Sequence, residues 1–287
     1  MSPTLPRFTL RLKNQTILKW NRPLIMGVIN LSPNSFYQPV ANLEQALFLA
    51  EAMVKGGAAI LDVGGEATNP SVDLLRDKPE LQIEIDRVVP VIEAIKQRFE
   101  VLVSVDTSEV EVMRASVKAG VDLVNDQRTL KNPGVLDFII ESELPVCLMH
   151  FFDPIRKPES GSKLELLEEI VEDFRLLVAN YQQAGLASDR IILDPGFGGG
   201  HYGKSTDENY YLLKNLARFD ELSCPVLIGW SRKSMLGDTL DAVSEDRLYG
   251  GIAAAVLAAI NGAAIIRTHD VKATSDAMKV LEHYWRV

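Results

Sequence analysis

The sequence predicts an α/β chain folded as one (β/α)8 TIM barrel, with a short β-hairpin ahead of it. Three observations carry that reading. Eight apolar, β-type runs of four to six residues recur along the chain; amphipathic segments separate them; and helix-ending glycines stand at Gly56, Gly120, Gly185 and Gly262. Continuously apolar strands alternating with helices call for a parallel sheet covered on both faces. Eight such units in 287 residues fit a closed barrel better than an open sheet.

Taken in order, the alternating stretches 8–12 and 16–18 read as the hairpin. The barrel runs come next, at 24–29, 59–63, 101–105, 121–124, 145–149, 190–193, 225–228 and 263–267. Helical periodicity occupies 43–55, 83–98, 110–119, 164–184, 209–219 and 247–260. Residues 153–163, with Pro and Gly among them, read as a long loop, and nothing else resembles a linker, so residues 1–287 are expected to form a single domain.

Composition limits the functions available. A hydrophobic share of 47% supplies a core, and a formal charge of −9 with pI near 5.1 argues against a general nucleic-acid or anionic-membrane partner. Cys147 and Cys224 each lie beside a proline and an apolar run, the setting of reduced core thiols. No basic-then-apolar leader and no membrane-length apolar run occurs, so the expected location is the cytoplasm.

The chemistry is read from the residues at and just past each strand end, because a barrel gathers its strand C-termini on one face. There stand Asn30, Asp62, Asp106, Asn125, Met149 with His150, Asp194, the Ser231 to Ser234 group, and Arg267 with His269. Any one of these could be punctuation: Asp106 or Asp194 could cap a helix and Asn125 could serve a turn. Together, Asp106, Asn125, Asp194 and Lys233 match the donor-rich edge and ring oxygen of a flat amino-oxo heterocycle. Ser231, Arg232, Lys233, Ser234, Arg267 and His269 lie where this fold holds phosphate. The ligand is therefore expected to be a heterocycle joined to an anion. Nucleophile-elbow, zinc-protease and Walker motifs are absent, and the glycines at 196–203 do not form a dinucleotide fingerprint. His150, also at a strand end, reads equally as a functional or a support residue, His201 and His283 read as exposed, and the acidic run 165–173 reads as the wet face of a helix.

These residues also resemble a known family, the dihydropteroate synthases. The likeness is carried by MGVINLSPNSF (26–36), LDVGGEATNP (61–70), SVDT (104–107), VND (124–126), PVCLMH (145–150), LDPGFG (193–198), SRKS (231–234) and RTHDV (267–271). The resemblance implies a homodimeric barrel that joins 4-aminobenzoate to 6-hydroxymethyl-dihydropterin diphosphate and releases pyrophosphate with Mg2+ present. By that analogy Asp106, Asn125, Met149, Asp194 and Lys233 hold the pterin. Asn30 acts through Mg2+, Arg267 and His269 take the diphosphate, Thr68 and Ser234 complete the substrate contacts, and Asp106, Lys233 and Arg267 are the catalytic set. A pterin-dependent methyltransferase and a non-catalytic pterin-binding paralogue remain alternatives. The chain departs from the family pattern at Asn34 and Gln38, where aspartates are usual, at Asn69, where an arginine is usual, and in an insertion at 199–201 that brings Tyr202 to an aromatic position. A slower chemical step and weaker arylamine binding are the expected consequences.

Overall fold

A computed structural model describes residues 7–35, 37–67, 77–151, 161–199 and 202–287. Eight parallel strands make the barrel: β3 (Leu24–Asn30), β4 (Ile60–Gly64), β5 (Leu102–Asp106), β6 (Leu123–Asp126), β7 (Val146–Met149), β8 (Ile191–Asp194), β9 (Leu227–Ile228) and β10 (Ile265–Thr268). Their order is β8-β7-β6-β5-β4-β3-β10-β9, and a parallel bridge from Leu193 to Val226 joins the two ends into a ring. The expected barrel is thus present. The run predicted at 225–228 contributes only two regular strand residues, and on the β8 side the ring closes through a single backbone hydrogen bond, from the Leu193 N–H to the Pro225 carbonyl.

The hairpin, β1 (Phe8–Arg11) and β2 (Ile17–Trp20), is antiparallel and packs under the barrel. Leu10 and Trp20 join Met26, Ile60, Leu123, Cys147, Ile192 and Ile265 in an apolar cluster, and the Trp20 indole donates to the Ala264 carbonyl. Leu10 and Trp20 are there because period-two alternation turns them to one face of the ribbon.

Helices form the outer layer: α1 (Leu43–Gly56), α2 (Leu81–Arg98), α3 (Val110–Ala119), α4 (Val135–Ser142), α5 (Lys163–Gln183), α6 (Thr206–Lys214), α7 (Ser234–Leu240), α8 (Leu248–Ile260) and α9 (Val271–Arg286). α5 and α6 open on reciprocal capping boxes, Ser162 with Glu165 and Ser205 with Glu208. The helix expected over 209–219 instead divides, α6 ending at Lys214 before a 3-10 stretch, Leu216–Leu222. α4 and α7 lack a sequence prediction altogether. Most of the loop expected at 153–163 lies outside the described residues, and its last residue, Lys163, opens α5.

The main core fills the space between strands and helices, with Val63, Val105, Val124, Leu148, Leu193 and Ile228 meeting Ile92, Met113, Ile139, Phe174, Phe219 and Ala258. Both cysteines are free and buried, and burial pushes the Cys224 thiol up to about 12, which keeps it protonated and inert. Glu165, Glu168, Glu169, Glu172 and Asp173 line the exposed side of α5, as expected.

Candidate active site

One face of a parallel barrel receives every strand C-terminus, and here that face holds a cavity of about 270 Å³. That is near the lower end of the roughly 300 to 1,000 Å³ of ordinary ligand pockets, a size for one bicyclic ring and its substituent. Asn30, Asp106, Asn125, Met149 and Asp194 line it from the strand ends. Lys233, Ser234, Arg267 and His269 line it from the last two βα units. Of the predicted site residues, Thr68 lies outside the described residues, as does Asn69 among the sequence departures.

Register explains the floor. Asp106 pairs with Asn125 across β5 and β6, and Met149 with Asp194 across β7 and β8, so these side chains reach the rim at matching heights. Behind Asp194 the chain turns sharply: Gly196 has φ +70 and its N–H donates to Asp194 Oδ1 at 2.8 Å. A Cβ at position 196 would stand 2.1 Å from the His150 carbonyl oxygen, so only glycine lets the loop pass and orient Asp194. Lys204, fully buried, donates to the carbonyls of Gly196 and Tyr202 and holds the same loop.

The charges are interlocked. Arg267 donates from Nε to Asp62 Oδ2 at 2.6 Å and from Nη2 to Asp106 Oδ2 at 2.7 Å. Asn125 Nδ2 donates to the same Asp62 oxygen at 3.1 Å, and Gln127 Nε2 donates to both Asp106 oxygens. Burial pushes Asp106 up to about 7, against the pull of Arg267 and with the charge of Asp62 adding to the rise. Asp194 is raised by burial and pulled back by Lys233. Lys233 is lowered to about 8 by burial, which Asp194 partly offsets. Its ammonium donates to the Phe197 carbonyl at 2.6 Å and lies 4.9 Å from the Tyr202 ring centre. The arrangement offers a flat ligand two carboxylates, an amide and one ammonium around a single edge.

The region expected to hold phosphate is more differentiated than its sequence suggests. Arg267 faces the cavity. Arg232, also on the rim, is turned into the protein: it makes a two-pronged ion pair with Asp270, donates to the Ser244 and Glu245 carbonyls, and stacks on Tyr37. Ser231 accepts from the His269 backbone N–H. Burial, followed by the Arg267 charge, pushes the His269 imidazole down to about 3, so at neutral pH it is an uncharged hydrogen-bonding ring. Positive charge at this end therefore comes from Arg267 and Lys233 together with Arg247, which also lines the cavity and donates to the Ala242 and Arg232 carbonyls.

Of the two roles open to His150, its setting favours support: it does not line the cavity, it is buried with Nε2 against Asp173 at 2.9 Å, and burial pushes it down to about 4. His283 is exposed on α9, and His201 lies outside the described residues. Tyr202 lines the cavity and meets Phe151 edge to face. At the two departures in the loop after β3, the Asn34 backbone N–H donates to Ser32 Oγ, and Gln38 adopts φ 44 with its amide on the Tyr37 hydroxyl.

Sequence reasoning placed Asp62 among the strand-end residues but gave it no role, and it did not single out Gln127 or the Glu66–Arg128 pair. Glu66 lines the cavity and takes Arg128 in a two-pronged ion pair at 2.7 and 3.0 Å. A polar residue two positions beyond Asn125 was the available signal for Gln127.

Comparison with known proteins agrees with this geometry. Residues 26–269 match the family model described as pterin binding enzyme. The dihydropteroate synthase of Escherichia coli (strain K12) is 44% identical over 270 residues, 93% of each chain. That of Haemophilus influenzae is 40% identical over 270 residues, 93% of this chain and 96% of the relative. Among solved structures, a dihydropteroate synthase from Coxiella burnetii in complex with pteroic acid superposes with a TM-score of 0.91 at 50% identity, covering 96% of this chain and 98% of that one. The Xanthomonas albilineans dihydropteroate synthase with 4-aminobenzoic acid gives 0.87 at 36% identity, covering 97% and 99%.

Proposed function

Because the chain belongs to the pterin-binding enzyme family, and within it to the dihydropteroate synthases, we propose that it joins 6-hydroxymethyl-7,8-dihydropterin diphosphate to 4-aminobenzoate. It is a transferase of folate biosynthesis: the methylene C–O bond to the diphosphate breaks, a C–N bond to the arylamine forms, pyrophosphate leaves, and the amine gives up a proton. The observation that carries the reading is the convergence of Asp106, Asn125, Asp194, Lys233 and Arg267 on one cavity at the strand C-termini.

Asp106, Asn125 and Asp194 accept from the ring N–H groups, Met149 packs against the ring, and Lys233 donates to a ring oxygen or nitrogen. Arg267 and the neutral His269 face the diphosphate, with Thr68 and Ser234 completing the contacts. Fixed cations and donors aimed at the leaving group stabilise charge that grows as the C–O bond opens, so no protein nucleophile is required.

For Mg2+ the donor set matters. Among the described residues no cluster of three or more His, Cys, Asp or Glu can hold a metal. Asn30 reaches the cavity with an amide oxygen that has no hydrogen bond among the described residues. One neutral oxygen suits an ion that arrives with phosphate oxygens and keeps its waters. Asn30 would hold it, and Mg2+ bound there would neutralise charge on the departing pyrophosphate.

Two further proposals accompany this one. A homodimer is supported by the exposed apolar side chains Leu240, Val243, Tyr249, Leu257 and Ile260 of the α7 to α8 region. A cytoplasmic location is consistent with the finding that no helix among the described residues is long and apolar enough to cross a membrane.

Calorimetry with the pterin diphosphate, beside a pyrophosphate-release assay with 4-aminobenzoate, tests the function. Binding with turnover is expected. Asn125→Ala and Asp194→Ala should each weaken the pterin by roughly 5- to 150-fold, the range set by about 1 to 3 kcal/mol for an unsatisfied buried partner. Binding without turnover would favour a non-catalytic paralogue, and undiminished affinity in both variants would remove the pterin assignment.

A further inference from the structure

Asp62 is fully buried beneath the active-site floor and does not line the cavity. Its Oδ2 atom nevertheless receives hydrogen bonds from two residues that do, Arg267 Nε and Asn125 Nδ2. Its other oxygen, Oδ1, is buried without a hydrogen-bond partner among the described residues. An unsatisfied buried acceptor gives up its hydration with nothing in return. A purely structural position would do better with an apolar side chain, so the carboxylate must serve something at the floor.

The two carboxylates that hold Arg267 differ in what a ligand can reach. Asp106 lines the cavity and is partly exposed, whereas Asp62 is sealed off. A heterocycle that donates N–H groups to Asp106 competes with Arg267 Nη2 for the same oxygen, but nothing in the cavity can compete for Asp62. Arg267 Nη1 has no hydrogen bond among the described residues and Nη2 is released by the exchange, so an anion beside the ring meets two donors on an arginine still fixed at Nε.

The amide is set in the same way. A carboxylate accepts only, which obliges Asn125 to turn its NH2 toward Asp62 and its oxygen away from it. Asn125 then presents an acceptor to the ring. With Asp106 and Asp194 the floor becomes a row of three acceptors, selective for a donor-rich edge.

We propose that Asp62 is the positioning residue of the site: it keeps Arg267 anchored while the ligand takes Asp106 from it, and it fixes the face that Asn125 turns to the pterin. This rests on the pterin diphosphate reading above.

Asp62→Asn keeps size while removing the charge and the acceptor-only character. Calorimetry with 6-hydroxymethyl-dihydropterin, the alcohol, reports the Asn125 contribution, and the pterin diphosphate reports Asn125 and Arg267 together. The expected losses are about 10-fold for the alcohol, one hydrogen bond's worth, and about 100-fold for the diphosphate. KM for the pterin diphosphate should rise while KM for 4-aminobenzoate stays unchanged, a split that general loosening of the fold does not produce. Arg267→Met and the double variant D62N/R267M give a second route in case D62N folds poorly, because the double variant buries neither charge. Their diphosphate-to-alcohol affinity ratios should agree, since Asp62 acts on the anion only through Arg267. A D62N ratio equal to wild type, or a further drop in ratio from R267M to the double variant, overturns the assignment to Asp62. Wild-type protein that binds neither pterin overturns the proposed function instead, and this inference with it.

Discussion

Removing Arg267 should destabilise the barrel as well as the diphosphate complex, and the stability loss should depend on pH. In Arg267→Ala, Asp62 keeps, among the described residues, only the Asn125 amide, and Asp106 keeps Gln127 and access to cavity water. Deleting one partner of a buried ion pair costs about 3 to 5 kcal/mol, and the sealed Asp62 is the main reason to expect that range here. At about 2.1 cal/mol/K per residue, the unfolding entropy of 287 residues is near ~0.6 kcal/mol/K, so the melting temperature should fall by about 5 to 8 °C. Asp106 is raised to about 7 in the folded protein, above an unfolded value near ~4. A carboxyl raised on folding contributes stability below its unfolded pKa and loses it as pH climbs through the folded one. Arg267 is the chief influence holding Asp106 down, so its removal carries that loss further upward. The deficit should therefore be smaller at pH 5 than at pH 8. Urea denaturation of both proteins at the two pH values measures it. A deficit below about 1 kcal/mol, or one equal at both pH values, would refute the coupling of Arg267 to these carboxylates.

Four other outcomes are expected. Lys233, lowered to about 8 by burial, should carry its charge below that pH and lose it above, so pterin affinity should fall by roughly tenfold from pH 7 to 9, and Lys233→Met should lack that limb. The same depressed value makes folding stability rise between about pH 8 and 10.4 in the wild type, as the unfolded chain binds the extra proton there, and pH-stability curves of the two proteins should differ in that window. Gly196→Ala, which forces a Cβ toward the His150 carbonyl at φ +70, should cost roughly 2 kcal/mol or more and weaken pterin binding by displacing Asp194; calorimetry and melting curves with wild-type values would contradict the turn's role. Asn34→Asp with Gln38→Asp should raise kcat without changing pterin affinity, because a carboxylate near a cation-like methylene acts in the transition state, and unchanged or lower kcat would refute that charge argument.

The barrel and the residue types on its rim were legible in the chain because both are local. Apolar runs bounded by Gly, Pro and polar residues mark strands one at a time, and parallel closure then sends every strand end to the same face, so Asn30, Asp106, Asn125, Met149, Asp194 and Arg267 could be grouped without coordinates. α4 and α7 escaped because Val135–Ser142 and Ser234–Leu240 are only about two turns long, too short for a 3.6-residue period to stand out. Glu84 escaped for a different reason: it looks like the wet side of α2, yet it is fully buried, receives the Thr107 hydroxyl at 2.5 Å, and is raised to about 7 by burial. The partnerships inside the site were beyond sequence altogether. Arg232 and Arg267 are equivalent cations on paper, but Asp270 neutralises the first within the protein while the second bridges Asp62 and Asp106 at the cavity. Asp62 reaches Asn125 across 63 residues and Arg267 across 205, separations that carry no periodic signal. Periodicity states which way a side chain faces; which charge it meets there, and at what burial, is decided only when the ring of strands closes and excludes water from the pairs it brings together.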